Sequence, residues 1–250
     1  GSGWGASAFL KHLYQDNKYD VTVISPNNYF LYTPLMIQSL FQNFSLKYPI
    51  SNLYPIKHIP SKVQNIDFQK QEIYLENSSI TSVPYDYLIL SHGTDTNTFN
   101  IPGVQQYCYQ TNNLDNISKI KNQLQKESYG SKIVVIGTSL TGTELAGCLI
   151  DQHKFKISVI DISSRPLMSF ENNISEQVLR LWKENYVNKY LGHKVTKIDS
   201  QKIYLNNNLE IPYNMAFWCG GTKNNNLTQK INKSLQYSDP KGIPITGSLE

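Results

Sequence analysis

Two glycine-rich stretches carry the residues most able to do chemistry. The first is Gly1-Ser2-Gly3-Trp4-Gly5-Ala6 and the second is Gly137-Thr138-Ser139-Leu140-Thr141-Gly142-Thr143-Glu144. In a dinucleotide fingerprint the first glycine makes a tight turn, the second lets backbone approach a pyrophosphate, and the third allows close packing of the following helix on its strand. Gly1, Gly3 and Ala6 fill those roles in the first copy. In the second copy Gly137 and Gly142 survive, while Ser139 brings a Cβ to the place where backbone meets phosphate. Its hydroxyl either donates to a phosphate oxygen or weakens binding, and the sequence leaves both readings open. Two copies imply two nucleotides on one chain.

An acidic group at the end of the next strand accepts hydrogen bonds from the adenosine ribose and repels a 2′-phosphate. Asp161 closes Ile157-Ser158-Val159-Ile160 at that position and favours NADH over NADPH. A solvated strand end is the plain alternative, and nearby Arg165 is a cation able to take the phosphate instead. At the first copy the matching strand ends in Ser25-Pro26-Asn27-Asn28, without a carboxylate.

The elements that must position these residues follow the same order twice. After the first turn, Ala8-Phe9-Leu10 and Leu13 recur at helical spacing, and Tyr19 to Ser25 then has the pattern of a buried strand. The second unit adds the strand before the turn: Lys132 to Ile136, the Gly137 turn, a helix over Glu144 to Asp151, and a strand over Ile157 to Ile160. Between them lie short alternating β-runs from Ile66 to Ile80 and a buried strand predicted over Tyr85 to Gly93. A polar helix follows from Thr111 to Ser128, with Leu114, Ile117, Ile120 and Leu124 on one face. Further on, an amphipathic helix is predicted over Ile174 to Tyr190, a strand pair over Lys194 to Asp199 and Lys202 to Asn206, a returning strand at Met215 to Gly221 and a last one at Gly242 to Thr246. Alternating β and α elements argue for an α/β fold with parallel sheets.

Composition narrows the function classes. The net charge is only +4 over 250 residues and the lysines are scattered, which gives nucleic acid no support as a partner. No apolar run approaches the roughly 20 residues of a membrane-spanning helix. The three cysteines, Cys108, Cys148 and Cys219, are too far apart in sequence for a CxxC redox pair, and the five histidines lack metal-ligand spacing, so no metal is expected. Asn206-Asn207-Asn208 and Asn224-Asn225-Asn226 suit turns.

A more specific signal lies in Tyr19-Asp-Val-Thr-Val-Ile-Ser-Pro-Asn-Asn-Tyr-Phe-Leu-Tyr-Thr-Pro-Leu35, read together with the first turn. With Tyr85-Asp-Tyr-Leu-Ile-Leu-Ser-His-Gly93, Asn97-Thr-Phe-Asn-Ile-Pro-Gly-Val104 and Phe217-Trp-Cys-Gly-Gly221, it resembles the type II (alternative, rotenone-insensitive) NADH dehydrogenases over nearly the whole chain. The resemblance implies a flavoprotein of two Rossmann-like domains, the NADH domain inserted in the FAD domain, in which NADH reduces FAD and FAD reduces a membrane quinone. It puts Gly1, Ser2, Gly3, Trp4, Gly5, Ala6, Ser25, Pro26, Ser91 and Gly93 around FAD, with Thr33, Pro34 and Leu35 near the flavin ring. It puts Gly137, Ser139, Thr141, Gly142, Glu144, Asp161, Gly220 and Gly221 around NADH, with Glu144 positioning the nicotinamide. The plain alternative for Glu144 is a carboxylate in a helix's first turn, stabilised by the dipole. For Trp4 the alternatives are packing by the flavin or filling the core.

The implied division is a FAD-binding part over 1–110, a helical bridge over 111–130, an NADH-binding part over 131–235 and a return to the FAD domain over 236–250. The chain reads as an incomplete piece, with the strand before Gly1 and the family's second FAD motif, quinone site and membrane-anchoring helices expected beyond its ends. A peripheral place on the mitochondrial inner membrane is implied, and a homodimer is left open. Departures are Ser139, His92 where the family carries a small or apolar residue, and Asn27 where arginine is common. A sulfide:quinone or disulfide reductase would need paired catalytic cysteines. The remaining alternatives are a ferredoxin-reductase-like flavoprotein and a degenerate, non-catalytic binding subunit.

Overall fold

The computed structural model describes residues 1–13, 18–53, 55–76, 78–237 and 242–246. The chain is a mixed α/β protein that divides into two compact units. One comprises Gly1–Thr33, Ser45–Asp95 and Lys223–Glu250; the other comprises Pro34–Phe44 and Thr96–Thr222.

The two-segment unit is built on a five-stranded parallel sheet in the order Asn188–Leu191, Lys156–Asp161, Lys132–Ile136, Met215–Trp218, Cys108–Tyr109. Ile133, Val134, Val135 and Ile136 are all buried, as are Val159 and Ile160. Successive strand residues point to opposite faces, so continuous burial means that both faces are covered. On one side Val134, Ile136, Ile160, Ala216 and Trp218 share a core with Val195, Ile198, Ile203, Leu205 and Ile211 of the antiparallel strands Val195–Ile198, Lys202–Leu205 and Glu210–Pro212. The helix Leu140–Ile150 packs on the strands Lys132–Ile136 and Lys156–Asp161 through the buried side chains Leu145, Ala146 and Leu149. The direction of strand addition reverses between Lys132–Ile136 and Met215–Trp218. Ligands of open α/β sheets bind outside the strand ends at such a switch point.

The helix Leu114–Lys126 belongs to this unit rather than forming a bridge, because Ile117, Ile120 and Leu124 bury one face and the helix packs on the short turn Gln38–Leu40. Residues 96–110 join it as well, drawn in by the pairing of Cys108–Tyr109 with Met215–Trp218. The predicted helix over Ile174 to Tyr190 stops at Glu184. Tyr186 takes a left-handed φ of 54°, and Val187 N–H reaches back to the Trp182 carbonyl at 2.9 Å, closing the helix with a Schellman-type bond. Asn188–Leu191 is then free to pair with Lys156–Asp161.

The three-segment unit contains the helix Trp4–Leu13, a parallel pair Thr22–Ile24 with Lys57–Ile59, and the hairpin Tyr29–Leu31 with Lys47–Pro49. It also holds an antiparallel sheet of Val63–Asp67, Glu72–Leu75 and Ser82–Pro84. Its core gathers Ile59, Ile66, Ile73, Leu75 and Ile231, the last from the helix Asn226–Ser234. That helix packs on Val63–Asp67, so residues 223–235 fall in this unit and not with the Gly137 turn. Of 236–250, residues 238–241 and 247–250 lie outside the described residues. The predicted buried strand over Tyr85 to Gly93 forms no ladder among the described residues. Leu88 and Leu90 lean on the core while Tyr87 and Ile89 are exposed, the alternation of a one-sided segment. Gly242 to Thr246 likewise forms no strand.

Candidate functional site

At the first turn the helix Trp4–Leu13 begins with Ser7 N–H donating to the Gly3 carbonyl at 2.9 Å. Gly3 has no side chain to cap the helix, so the first-turn N–H groups face outward, the arrangement that binds anions. A Cβ built on Gly3 would meet nothing within 4 Å, whereas one on Gly1 would lie 2.1 Å from the Ser91 carbonyl oxygen. Gly1 is thus required by close packing on Ser91, while Gly3 keeps a face open. Ala6 is buried under the helix and Gly5 is exposed. These residues fit a pyrophosphate.

Ser25 is buried, and its hydroxyl donates to Ser2 Oγ at 3.0 Å and accepts from Asn27 N–H at 3.3 Å. It therefore ties the strand end to the turn, and Pro26 beside it is exposed. Trp4 is 50% exposed and donates its indole N–H to Thr33 Oγ1 at 2.9 Å, with Phe30 packed edge-on at 5.0 Å. Of the two readings of Trp4, the structure rejects a core filler. Thr33, Pro34 and Leu35 form a single 3-10 turn. Gly93 has a left-handed φ of 70°. His92 Nε2 lies 2.7 Å from Thr228 Oγ1, and Asn225, the N-cap of the helix Asn226–Ser234, donates its amide to the His92 and Gly93 carbonyls. Burial lowers the His92 pKa.

The second turn is closely packed too. A Cβ on Gly137 would stand 2.6 Å from the Cys219 carbonyl oxygen, and Gly137 has a φ of 95°. Ser139 is exposed, has extended backbone (φ −71°, ψ −167°) and makes no side-chain cap hydrogen bond. The backbone at 139 therefore accepts any residue, and the serine hydroxyl leaves the first turn of Leu140–Ile150 uncapped. Thr141 is exposed next to it. Gly220 packs on the Trp218 ring, whose indole N–H is anchored to the Asn97 carbonyl at 2.8 Å, and Gly221 has a φ of 104°.

Because this helix starts at Leu140 and not at Glu144, Glu144 lies beyond the first turn, where the dipole no longer reaches. Burial raises its pKa, the opposite of what a dipole would do. Asp161 is not a solvated strand end either. Its Oδ2 accepts from Thr138 N–H at 2.5 Å and Thr138 Oγ1–H at 2.8 Å, and its Oδ1 accepts from Ser163 N–H at 2.7 Å. Arg165 is committed to the Met168 and Phe170 carbonyls at 3.2 and 3.0 Å and to Ser175 Oγ, which leaves no fork for a phosphate. Thr138, 1% exposed, is the partner of Asp161 that the fingerprint pattern does not reveal. Its only sequence signal is a hydroxyl between two turn positions, 23 residues before an acidic strand end.

Cys108, Cys148 and Cys219 are all free. Burial raises all three thiol pKa values, those of Cys108 and Cys219 to about 12, so none is poised as a thiolate. No helix among the described residues is long and apolar enough to cross a membrane.

Comparison with known proteins agrees with this geometry. The chain is 26% identical over 88% of its length to the external alternative NAD(P)H-ubiquinone oxidoreductase B2, mitochondrial, of Arabidopsis thaliana, covering 46% of that protein. It is 28% identical, again over 88% of its length and 46% of the relative, to the external alternative NADH-ubiquinone oxidoreductase, mitochondrial, of Yarrowia lipolytica. The chain spans about half the length of the curated relatives it matches. Its fold superposes on NDH2 from Plasmodium falciparum in complex with NADH with a TM-score of 0.86 and 27% identity, over 96% of this chain and 58% of that one. Residues 1–245 match the family model for pyridine nucleotide-disulphide oxidoreductase. With two glycine turns opening two helices, and this match across nearly its full length, the chain belongs to the pyridine nucleotide-disulphide oxidoreductase family.

Proposed function

We propose that this chain is the nucleotide-binding portion of a type II NADH:quinone oxidoreductase, with FAD at the Gly1 turn and NADH at the Gly137 turn. The observation that carries the reading is the pair of uncapped helix starts at Gly3 and Ser139 in one chain whose thiols are all held protonated. FAD held at the first turn would supply the hydride acceptor and the route for electrons to quinone. The first-turn N–H groups after Gly3 hold the FAD pyrophosphate, the Ser2–Ser25 link fixes the turn, and Gly1 keeps it compact against Ser91. Pro26 and Gly93 border the site, and Trp4 sets the 3-10 turn Thr33–Leu35 through Thr33.

On the NADH side, Gly137, Ser139, Thr141 and Gly142 hold the pyrophosphate, Gly220 and Gly221 border the nicotinamide half, and Glu144 positions that ring. Asp161 receives the adenosine ribose and disfavours a 2′-phosphate. The similarity to NDH2 in complex with NADH, and to mitochondrial NAD(P)H-ubiquinone oxidoreductases, supports the same assignment. A peripheral place at the mitochondrial inner membrane follows, since the electron acceptor is a membrane quinone.

The test is anaerobic addition of NADH to the intact, flavin-loaded protein. The flavin's visible absorbance bleaches and returns on adding a water-soluble ubiquinone analogue. Flavin that stays oxidised in the presence of excess NADH would instead establish a non-catalytic binding subunit.

A further inference from the structure

All three polar groups of Thr138 are engaged, in four hydrogen bonds. Its N–H and hydroxyl both donate to Asp161 Oδ2, while its carbonyl accepts from Thr143 Oγ1–H at 3.0 Å and from Leu167 N–H at 2.9 Å. Leu167 sits in the segment that Arg165 holds through the carbonyls of Met168 and Phe170. The same segment is fixed by Ser175 Oγ, which accepts from Arg165 and donates to the Pro166 carbonyl at 2.6 Å. Thr138 thus joins the glycine turn to the acidic strand end and to the loop that follows it. The hydroxyl is nearly inaccessible, so no water competes for this bond.

We infer that Thr138 is a positioning residue that sets nucleotide specificity, by holding the Asp161 carboxylate against the Gly137 turn so that its remaining lone pairs face the ribose hydroxyls. The inference rests on the reading of the Gly137 turn as the NADH site. A carboxylate free to rotate would lose part of its bond to the ribose and part of its repulsion of a 2′-phosphate together. Arg165 contributes by locking the loop, and its guanidinium is unavailable to rescue NADPH.

The experiment measures equilibrium dissociation constants for NADH and NADPH in the intact protein, with melting temperature as the check on folding. A hydrogen bond to a charged group accounts for roughly tenfold in affinity. Thr138→Val is therefore expected to weaken NADH by about that factor, with little change for NADPH, so the preference between them shrinks. Thr138→Ser keeps the hydroxyl and stays within about twofold of the parent. Thr138→Ala, without the branched side chain, reproduces the loss if Thr138→Val folds poorly. On an Asp161→Asn background, Thr138→Val adds no further change, because the two residues act as one unit. An unchanged NADH to NADPH ratio in both hydroxyl-free variants, or a loss that persists undiminished on Asp161→Asn, overturns the positioning role and leaves the site reading standing. A parent protein that binds neither nucleotide removes both.

Discussion

No side chain fits between Gly142 and Gly137: a Cβ built on Gly142 would lie 1.8 Å from the Gly137 carbonyl oxygen. The clash is with backbone, which cannot swing away as a flexible side chain would. Gly142→Ala must push the helix Leu140–Ile150 off the strand Lys132–Ile136. Overpacking of this kind costs about 1–3 kcal/mol, so thermal unfolding should show a melting temperature several degrees below the parent. An unchanged midpoint would mean that the turn relaxes in a way the structure does not show.

Gly3 gives a milder expectation. A methyl group there enters open space, so Gly3→Ala should melt only a few degrees below the parent, by the roughly 0.5–1 kcal/mol that separates Gly from Ala at a helix N-cap. If that space is where the FAD pyrophosphate lies, the same variant should lose most of its flavin on gel filtration. Retention of a full complement of FAD would count against the placement.

Burial raises the Glu144 carboxyl above its ordinary 4.5, so the folded protein holds that proton more tightly than the unfolded chain. Its contribution favours folding below pH 4.5 and is lost as pH rises through the raised value. Above the raised value the group is charged and poorly solvated. Glu144→Gln should therefore raise the melting temperature at pH 7 by about 1–2 °C at most, since solvent screens much of the effect. The gain should vanish in acid, and a gain that grows on acidification would reverse the assignment.

Thiol reactivity offers an independent check. With Cys108 and Cys219 at about 12 and Cys148 also raised, the native protein should react with a thiol-specific chromogenic reagent at pH 8 far more slowly than free cysteine. All three should react at once in denaturant. A rapid native reaction would bring disulfide chemistry back into consideration.

What the sequence discloses depends on whether the signal is local. Lys132–Ile136, Lys156–Asp161 and the apolar face of Leu114–Lys126 are legible because runs and 3.6-residue spacing carry them. Helix Asn226–Ser234 is not, because its N-cap, Asn225, hides inside an asparagine run that otherwise signals a turn. Tyr85 to Gly93 has the composition of a buried strand, but ladder pairing is a property of neighbours, and none is found among the described residues. In the site, the glycines announce themselves by spacing. The partner of Asp161 does not, since Thr138 is recognised only when two strands lie side by side.

The division of the chain also orders events in time. Residues 96–222 are contiguous and supply the whole five-stranded parallel sheet, so its strands can pair as soon as the ribosome has delivered them. The other unit has no such freedom. The strand Val63–Asp67 waits for the helix Asn226–Ser234, whose Lys230 ammonium reaches the Gln64 carbonyl at 2.8 Å across 166 residues. During synthesis the antiparallel sheet of Val63–Asp67, Glu72–Leu75 and Ser82–Pro84 thus emerges well before the helix that completes its core, leaving Ile59, Ile66 and Ile73 in need of chaperone cover in the interval.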